Sequence, residues 1–188
     1  MKKIILIVTL LLFQSIYSQT NFEIIPPKGW TNFTKSDIVK SLNQKYTIPE
    51  SKKEEIIRNK TSIEIARFMT NSKNGTYSPN IQVILRPNGT KNISEFKSAI
   101  EKSTESLKTV LGDFKVTKPL TQITVNGKDA LIFKNEGFLK TITGEKNYFR
   151  TTLLLIPNGD TFYQITLNDT KRDSYEKEFN TAIESIKF

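Results

Sequence analysis

Two tetrads of the form Ser-x-x-Lys, Ser94-Glu95-Phe96-Lys97 and Ser174-Tyr175-Glu176-Lys177, place a hydroxyl and an amine three residues apart. Penicillin-recognising enzymes use this pattern, but their site is completed by Ser-Asp-Asn and Lys-Thr-Gly elements. Neither element occurs in the chain. Both tetrads open amphipathic stretches, where Ser and Glu serve helix capping. Oxygen-bearing residues gather near the end of the chain: Asn168, Asp169 and Asp173, with Asp160 across a hairpin. Calcium takes such ligands, yet the loop glycine and closing glutamate of a calcium-binding helix–loop–helix are missing. Asp169 and Asp173 suit the positive end of a helix instead. Glu136 and Glu145 would serve as a glycosidase pair, a chemistry that needs no histidine. Nothing in their spacing singles them out.

The chain has no Cys and no His. Disulfides, thiolate nucleophiles, zinc or haem sites built on those residues, and every Ser-His or Cys-His pair are therefore excluded. The reading is a non-enzyme: no catalytic, metal or cofactor-binding residue is assigned, and no cofactor. Trp30, Tyr77, Tyr148, Phe149, Phe162 and Tyr163 are the material for either an aromatic ligand platform or a core. Recognition is expected instead in the loop from Asn71 to Pro79. Its Asn74, Gly75 and Tyr77 form the expected partner-binding loop, because loops on a rigid scaffold carry most binding.

The elements that would position these residues follow from pattern. Thr34 with Asp37, then Ile38, Val39 and Leu42, reads as a short capped helix, and Ser51 with Glu54, Ile56 and Ile57 as another. Tyr46 to Pro49 reads as a connector between them. Ser62 to Met69 and Asn80 to Arg86 are rich in branched and aromatic residues and read as strands. Asn92 caps the clearest helix. Glu95 follows at the third position, and Ile93, Phe96, Ile100, Leu107, Val110 and Leu111 share one stripe until Gly112. Asn126-Gly127 joins Ile123–Val125 to Asp129–Phe133 as a tight hairpin. A longer hairpin runs from Asn147 to Ile156, turns at Pro157–Asp160 and returns from Thr161 to Leu167. Phe149, Leu153 and Leu155 fall on one side of its first strand, Leu154 and Ile156 on the other, which implies a sheet covered on both faces. Thr170 with Asp173 opens a last helix whose Tyr175, Phe179, Ile183 and Ile186 face inward. The fold class is α+β: an α-β-α sandwich with a central antiparallel sheet flanked by helices.

Met1-Lys2-Lys3, the apolar run Ile4–Phe13 and the polar step at Ser18-Gln19 read as a secretory leader over residues 1–18. The run is too short to span a bilayer, which takes about 20 apolar residues. Residues 19–188 then form one domain, exported to the periplasm or secreted, with no membrane span after cleavage. Loss of Lys2 and Lys3 with the leader leaves a net charge of +7, against +9 for the whole chain. Those charges are interleaved, as in Lys52-Lys53-Glu54-Glu55 and Glu176-Lys177-Glu178, whereas nucleic-acid binders gather cations on one stripe. No nucleic-acid partner is expected.

Phe22-Glu23-Ile24-Ile25-Pro26-Pro27-Lys28-Gly29-Trp30 resembles the opening of the PsbP-like superfamily, an apolar strand followed by Pro and Gly-Trp. Ile123–Ala130 is similar to its "apolar, x, Gly, x, x, Ala" hairpin. Thr161–Thr166 and the closing Phe179–Phe188 resemble its last strand and last helix. The superfamily includes an extrinsic photosystem II subunit, Ran-binding nuclear import factors and many exported bacterial proteins of unassigned role. The resemblance implies the same sandwich fold and a binding or assembly role. The photosystem subunit's histidine-assisted metal binding does not carry over, since His is absent. The functional expectation is a non-catalytic exported domain that binds a protein or envelope component, its oligomeric state left open. The alternative is a carboxylate- or Ser/Lys-based hydrolase of envelope sugars or peptides.

Overall fold

The computed structural model describes residues 20–33, 39–40, 45–48, 50–71, 78–110, 114–140, 146–170 and 174–188. In chain order these form β1 (Thr20–Glu23), β2 (Thr31–Asn32), β3 (Val39–Lys40), β4 (Lys45–Ile48), α1 (Glu50–Asn59), β5 (Ile63–Met69), β6 (Asn80–Pro87) and α2 (Ile93–Val110). They continue as β7 (Lys115–Val125), β8 (Lys128–Lys140), β9 (Lys146–Asn158), β10 (Thr161–Asp169) and α3 (Glu176–Glu184). Seven strands make one sheet in the order β2-β5-β6-β10-β9-β8-β7, and β1-β4-β3 make a small second sheet. Every pairing is antiparallel. The class is α+β. Among the described residues no helix is long and apolar enough to cross a membrane.

Local chemistry accounts for the tight connections. Asn126 and Gly127 both take positive φ, +46° and +80°, the geometry a two-residue turn needs to match strand twist. The Asn126 side-chain amide also donates to the Ile186 carbonyl at 3.0 Å. Gly159, at φ +62°, turns β9 into β10. α2 starts with the reciprocal cap expected of Asn92 and Glu95. The Glu95 N–H donates to Asn92 Oδ1 at 2.9 Å, and Glu95 Oε2 accepts the Lys91 N–H at 3.0 Å.

Side-chain alternation divides the core between the two faces of the large sheet. On the first face, Val83, Tyr163, Ile165, Leu154 and Ile132 pack with Phe22 and Ile48 of the small sheet. Ile56 of α1 and Phe179 and Ala182 of α3 complete this cluster. On the second, Phe96 of α2 packs with Leu131 and Leu155, and its ring meets Phe162 edge-on at 5.0 Å. Apolar packing on the second face stops at β10. Over β5 and β6 that face carries Glu64, Arg67 and Gln82, with Arg67 forked on Glu64 and Gln82 donating to the same carboxylate.

Three expectations are corrected. The described part of the helix expected over Thr34–Leu42 is the strand β3, whose Val39 and Lys40 pair with Thr47 and Tyr46. The connector expected from Tyr46 is strand β4; it pairs on its other side with β1 and buries Ile48 completely. A partner strand more than twenty residues upstream, not local propensity, decides that conformation. The last helix begins at Glu176 rather than near Thr170. Tyr175 is its cap residue and makes no side-chain cap bond. Its N–H donates instead to Asp169 Oδ2 at 3.0 Å. At the far edge, β7 breaks register with β8 twice between Val116 and Thr121, around Pro119.

Candidate functional site

The strand order brings three turns to one end of the large sheet. β6 leaves for α2 through Asn88–Asn92, β9 turns into β10 at Asn158–Gly159, and β8 starts at Lys128. Between them lies a cleft of about 360 Å³, lined by Asn88, Thr90, Lys91, Asn92, Ile93, Lys128, Asp129, Pro157, Asn158 and Gly159. A concave site of this size is in the range of small-ligand pockets.

Asn88 organises one wall. Its Oδ1 accepts the Thr90 N–H at 3.1 Å and the Thr90 hydroxyl at 2.7 Å, while its side-chain amide donates to the Gly159 carbonyl at 3.0 Å. Its backbone N–H donates to the Asp160 carbonyl at 2.7 Å. The two loops are thus fastened side by side. Lys128 forms the opposite wall. Its Nζ donates to Asn158 Oδ1 at 2.8 Å and stands 4.1 Å over the Phe188 ring. Burial lowers its pKa below the ordinary lysine value. Asp129, on the other side of the same strand, accepts from the Gln122 amide at 3.3 Å.

The residues singled out from sequence do not meet here. Asn74, Gly75 and Tyr77 lie outside the described residues, as do Asp173, Glu145 and the leader. The described flanks of their loop are joined by the Thr70 N–H on the Pro79 carbonyl at 3.2 Å. They sit where Asn80 pairs with Asn168, at the end of β10 opposite the cleft. Asp160 and Asp169 occupy opposite ends of β10, and Asp169 is sealed against Arg150. Ser94 and Ser174 are exposed near helix starts, and Lys97 faces Glu101 at 4.0 Å. The aromatic residues are scattered: Tyr163 is stacked on Phe22, Trp30 meets Tyr175, and Phe162 meets Phe96. Among the described residues no three acidic side chains converge as metal ligands. Sequence reasoning missed the cleft. Its walls were visible as separate turn signals, Asn88-Gly89, Asn126-Gly127 and Pro157-Asn158-Gly159, without the strand order that gathers them.

No family model and no curated protein matches the chain. Among solved structures it is similar to PA94, a protein of unknown function from Pseudomonas aeruginosa. The TM-score is 0.54 at 13% identity, over 83% of this chain and 94% of that one. LpqN of Mycobacterium tuberculosis, involved in cell envelope biogenesis, gives a TM-score of 0.49 at 10% identity, over 94% of this chain and 93% of LpqN. A Bacteroides thetaiotaomicron protein gives 0.47 at 11% identity, over 88% of this chain and 44% of that longer one. At these identities the similarity to PA94 is one of fold.

Proposed function

We propose that the chain is a non-catalytic, exported PsbP-like domain, an α-β-α sandwich that binds a protein or envelope component at the cleft end of its large sheet. The observation that carries this reading is the chemistry of the cleft wall. Hydrolysis asks for a nucleophile beside a base, or a pair of carboxylates about a scissile bond. The lining offers one carboxylate, Asp129, which bonds the Gln122 amide, and one hydroxyl, Thr90, which donates to Asn88. Lys128 is engaged with Asn158. Polar groups fixed in direction by such bonds orient a ligand and confer specificity. The basic, apolar and then polar N-terminus supports export to the periplasm or beyond. The Pro26–Trp30 opening and the Asn126-Gly127 hairpin support the PsbP-like assignment, and the similarity to PA94 supports the fold alone.

Retention of envelope components on the immobilised exported chain tests the proposal. Wild type is expected to hold a component that a Thr90→Asp/Lys91→Glu variant of unchanged circular dichroism releases. Equal retention by both would rule out the cleft end as the binding surface. Turnover of an envelope glycan or peptide by wild type, lost on one carboxylate or serine substitution, would replace binding with hydrolysis.

A further inference from the structure

Among the described residues three arginines stand on strands of the large sheet, and the fold treats two of them alike. Arg67 turns Nε and Nη2 onto Glu64, and Arg150 turns the same two nitrogens onto Asp169. Arg86, on β6, has no such fork. Its Nε–H is enclosed and meets no acceptor among the described residues. The carboxylate on the neighbouring strand, Glu64, is already taken by Arg67 and Gln82. An enclosed donor without a partner is costly, and more so on a charged group. A guanidinium in that state gains by turning its edge to an anion supplied from outside. We infer that Arg86 anchors the carboxylate of a short peptide, which lies across β6 and β10 on the face that carries α2.

The neighbours of Arg86 on that face define the rest of the site. Phe162 lies directly across from it on β10, and two residues further along both strands Gln164 lies across from Ile84. Alternation puts all four on one face, since the intervening Leu85 and Tyr163 belong to the core of the other. All four are half-buried. Phe96 of α2, edge-on to Phe162, forms the wall beside them. None of the four lines the cleft, so this site stands apart from the surface proposed above.

Gln164 decides the class of ligand. Its amide reaches the Thr166 hydroxyl at a long 3.4 Å, and its oxygen accepts from no group among the described residues. It can therefore accept from an N–H and donate to a C=O together. In an extended chain the N–H and C=O of one residue point the same way, as in the bonded pairs of an antiparallel ladder. Diagonal neighbours on adjacent strands lie about 7–8 Å apart, and an extended chain advances about 3.4 Å per residue. A terminal carboxylate on Arg86 thus sets a residue about two positions earlier over Gln164, with apolar side chains on Ile84 and Phe162. A sugar acid offers the charge without the paired N–H and C=O. A folded partner would need about 800 Å² on its side of the interface, far more than four side chains provide.

Titration of the exported chain with acetyl-Ala-Ala-Leu, its C-terminal amide, glucuronate and inorganic phosphate, followed by calorimetry and amide NMR shifts, tests the inference. The free-acid peptide should bind and move the signals of Ile84, Arg86, Phe162 and Gln164. It should exceed its amide by about tenfold or more, the worth of one charge-assisted hydrogen bond. Arg86→Lys keeps the charge and loses the fork, so it should weaken the acid and leave the amide's weaker binding as it is. Gln164→Leu should weaken both peptides alike. Unchanged circular dichroism guards both variants against a folding defect. Absence of binding, equal affinity for acid and amide, or affinity indifferent to both substitutions would each overturn the inference. So would glucuronate or phosphate binding as tightly as the acid, or shifts confined to the cleft lining. Self-association that Arg86→Lys abolishes in sedimentation velocity would put a second copy of the chain in the peptide's place. The two sites share no residue, so failure here leaves the cleft reading standing.

Discussion

Arg150 on β9 grips Asp169 on β10 with both Nε and Nη2, at 2.8 and 2.7 Å, and the same carboxylate receives the Tyr175 N–H that starts α3. Asp169 is 1% exposed. One side chain therefore ties the open end of the β9–β10 hairpin to the last helix, and its charge is neutralised on the spot. The Asp169 hydrogen bond is the main reason the Arg150 guanidinium holds its proton more tightly than usual.

Asp169→Ala should destabilise the fold by roughly 3 kcal/mol, since removing one partner strands the other charge. Arg150 keeps some solvent contact, which holds the loss at the low end of that range. Urea unfolding followed by circular dichroism gives the value. A change below the error of the method would mean that the pair contributes nothing net.

Tyr163 presents the opposite case. Its ring is fully buried and stacked on Phe22 at 4.5 Å, yet its hydroxyl has no hydrogen-bond partner among the described residues. Burial pushes its pKa well above the ordinary phenol value. Tyr163→Phe is expected to leave stability unchanged or raise it by about 1 kcal/mol, because an unpaired buried hydroxyl carries a desolvation cost. Phe22→Ala, emptying the same stack, should cost about 3–5 kcal/mol. Paired thermal melts compare the two, and a clear loss in Tyr163→Phe would show that the hydroxyl is satisfied.

Gly127→Ala should cost about 1–2 kcal/mol, the penalty for a side chain in the left-handed region. Nothing lies within 4 Å of the Cβ it would acquire, so the loss is purely one of backbone conformation. Gly127→Asn, which tolerates that region better, should recover part of it in the same denaturation experiment.

Acid should weaken the fold through two surface carboxylates. At Glu64, burial raises the pKa, but the hydrogen bonds from Arg67 and Gln82 and the Arg67 charge outweigh it and set it below 4.5. At Glu176 the Lys134 hydrogen bond and charge do the same. A folded pKa below the unfolded one means that the unfolded chain binds more protons. The contribution is then complete above pH 4.5 and is lost as pH falls below it. Melting temperature should drop from pH 6 to pH 3, and less steeply in Glu64→Gln and Glu176→Gln. Parallel curves in all three proteins would deny these groups that role.

Much of this architecture was legible wherever the determinant is local. Asn126-Gly127 specified its turn, and Asn92 with Glu95 specified the start of α2. The two-sided apolarity of Leu153–Ile156 anticipated core on both sheet faces. The misreadings fall where a distant partner decides. Tyr46–Ile48 is a strand because β1 and β3 flank it, and nothing between residues 45 and 49 announces that pairing. Thr170 and Asp173 imitate a capping box, but the helix start is fixed by Asp169, whose carboxylate accepts the Tyr175 N–H six residues further along the chain. The cleft escaped for the same reason. Each of its turns is readable alone, while their convergence depends on β6 lying beside β10 and β10 beside β9.

The outermost ribbon of the large sheet, β7, also governs how copies of the chain behave toward one another. Pro119 withholds a donor midway along it, two slips of register bend it, and Lys115 and Lys118 bring positive charge to its rim. Such a border cannot template a neighbour of its own kind. Copies of the chain can therefore reach high concentration without zipping together along this edge.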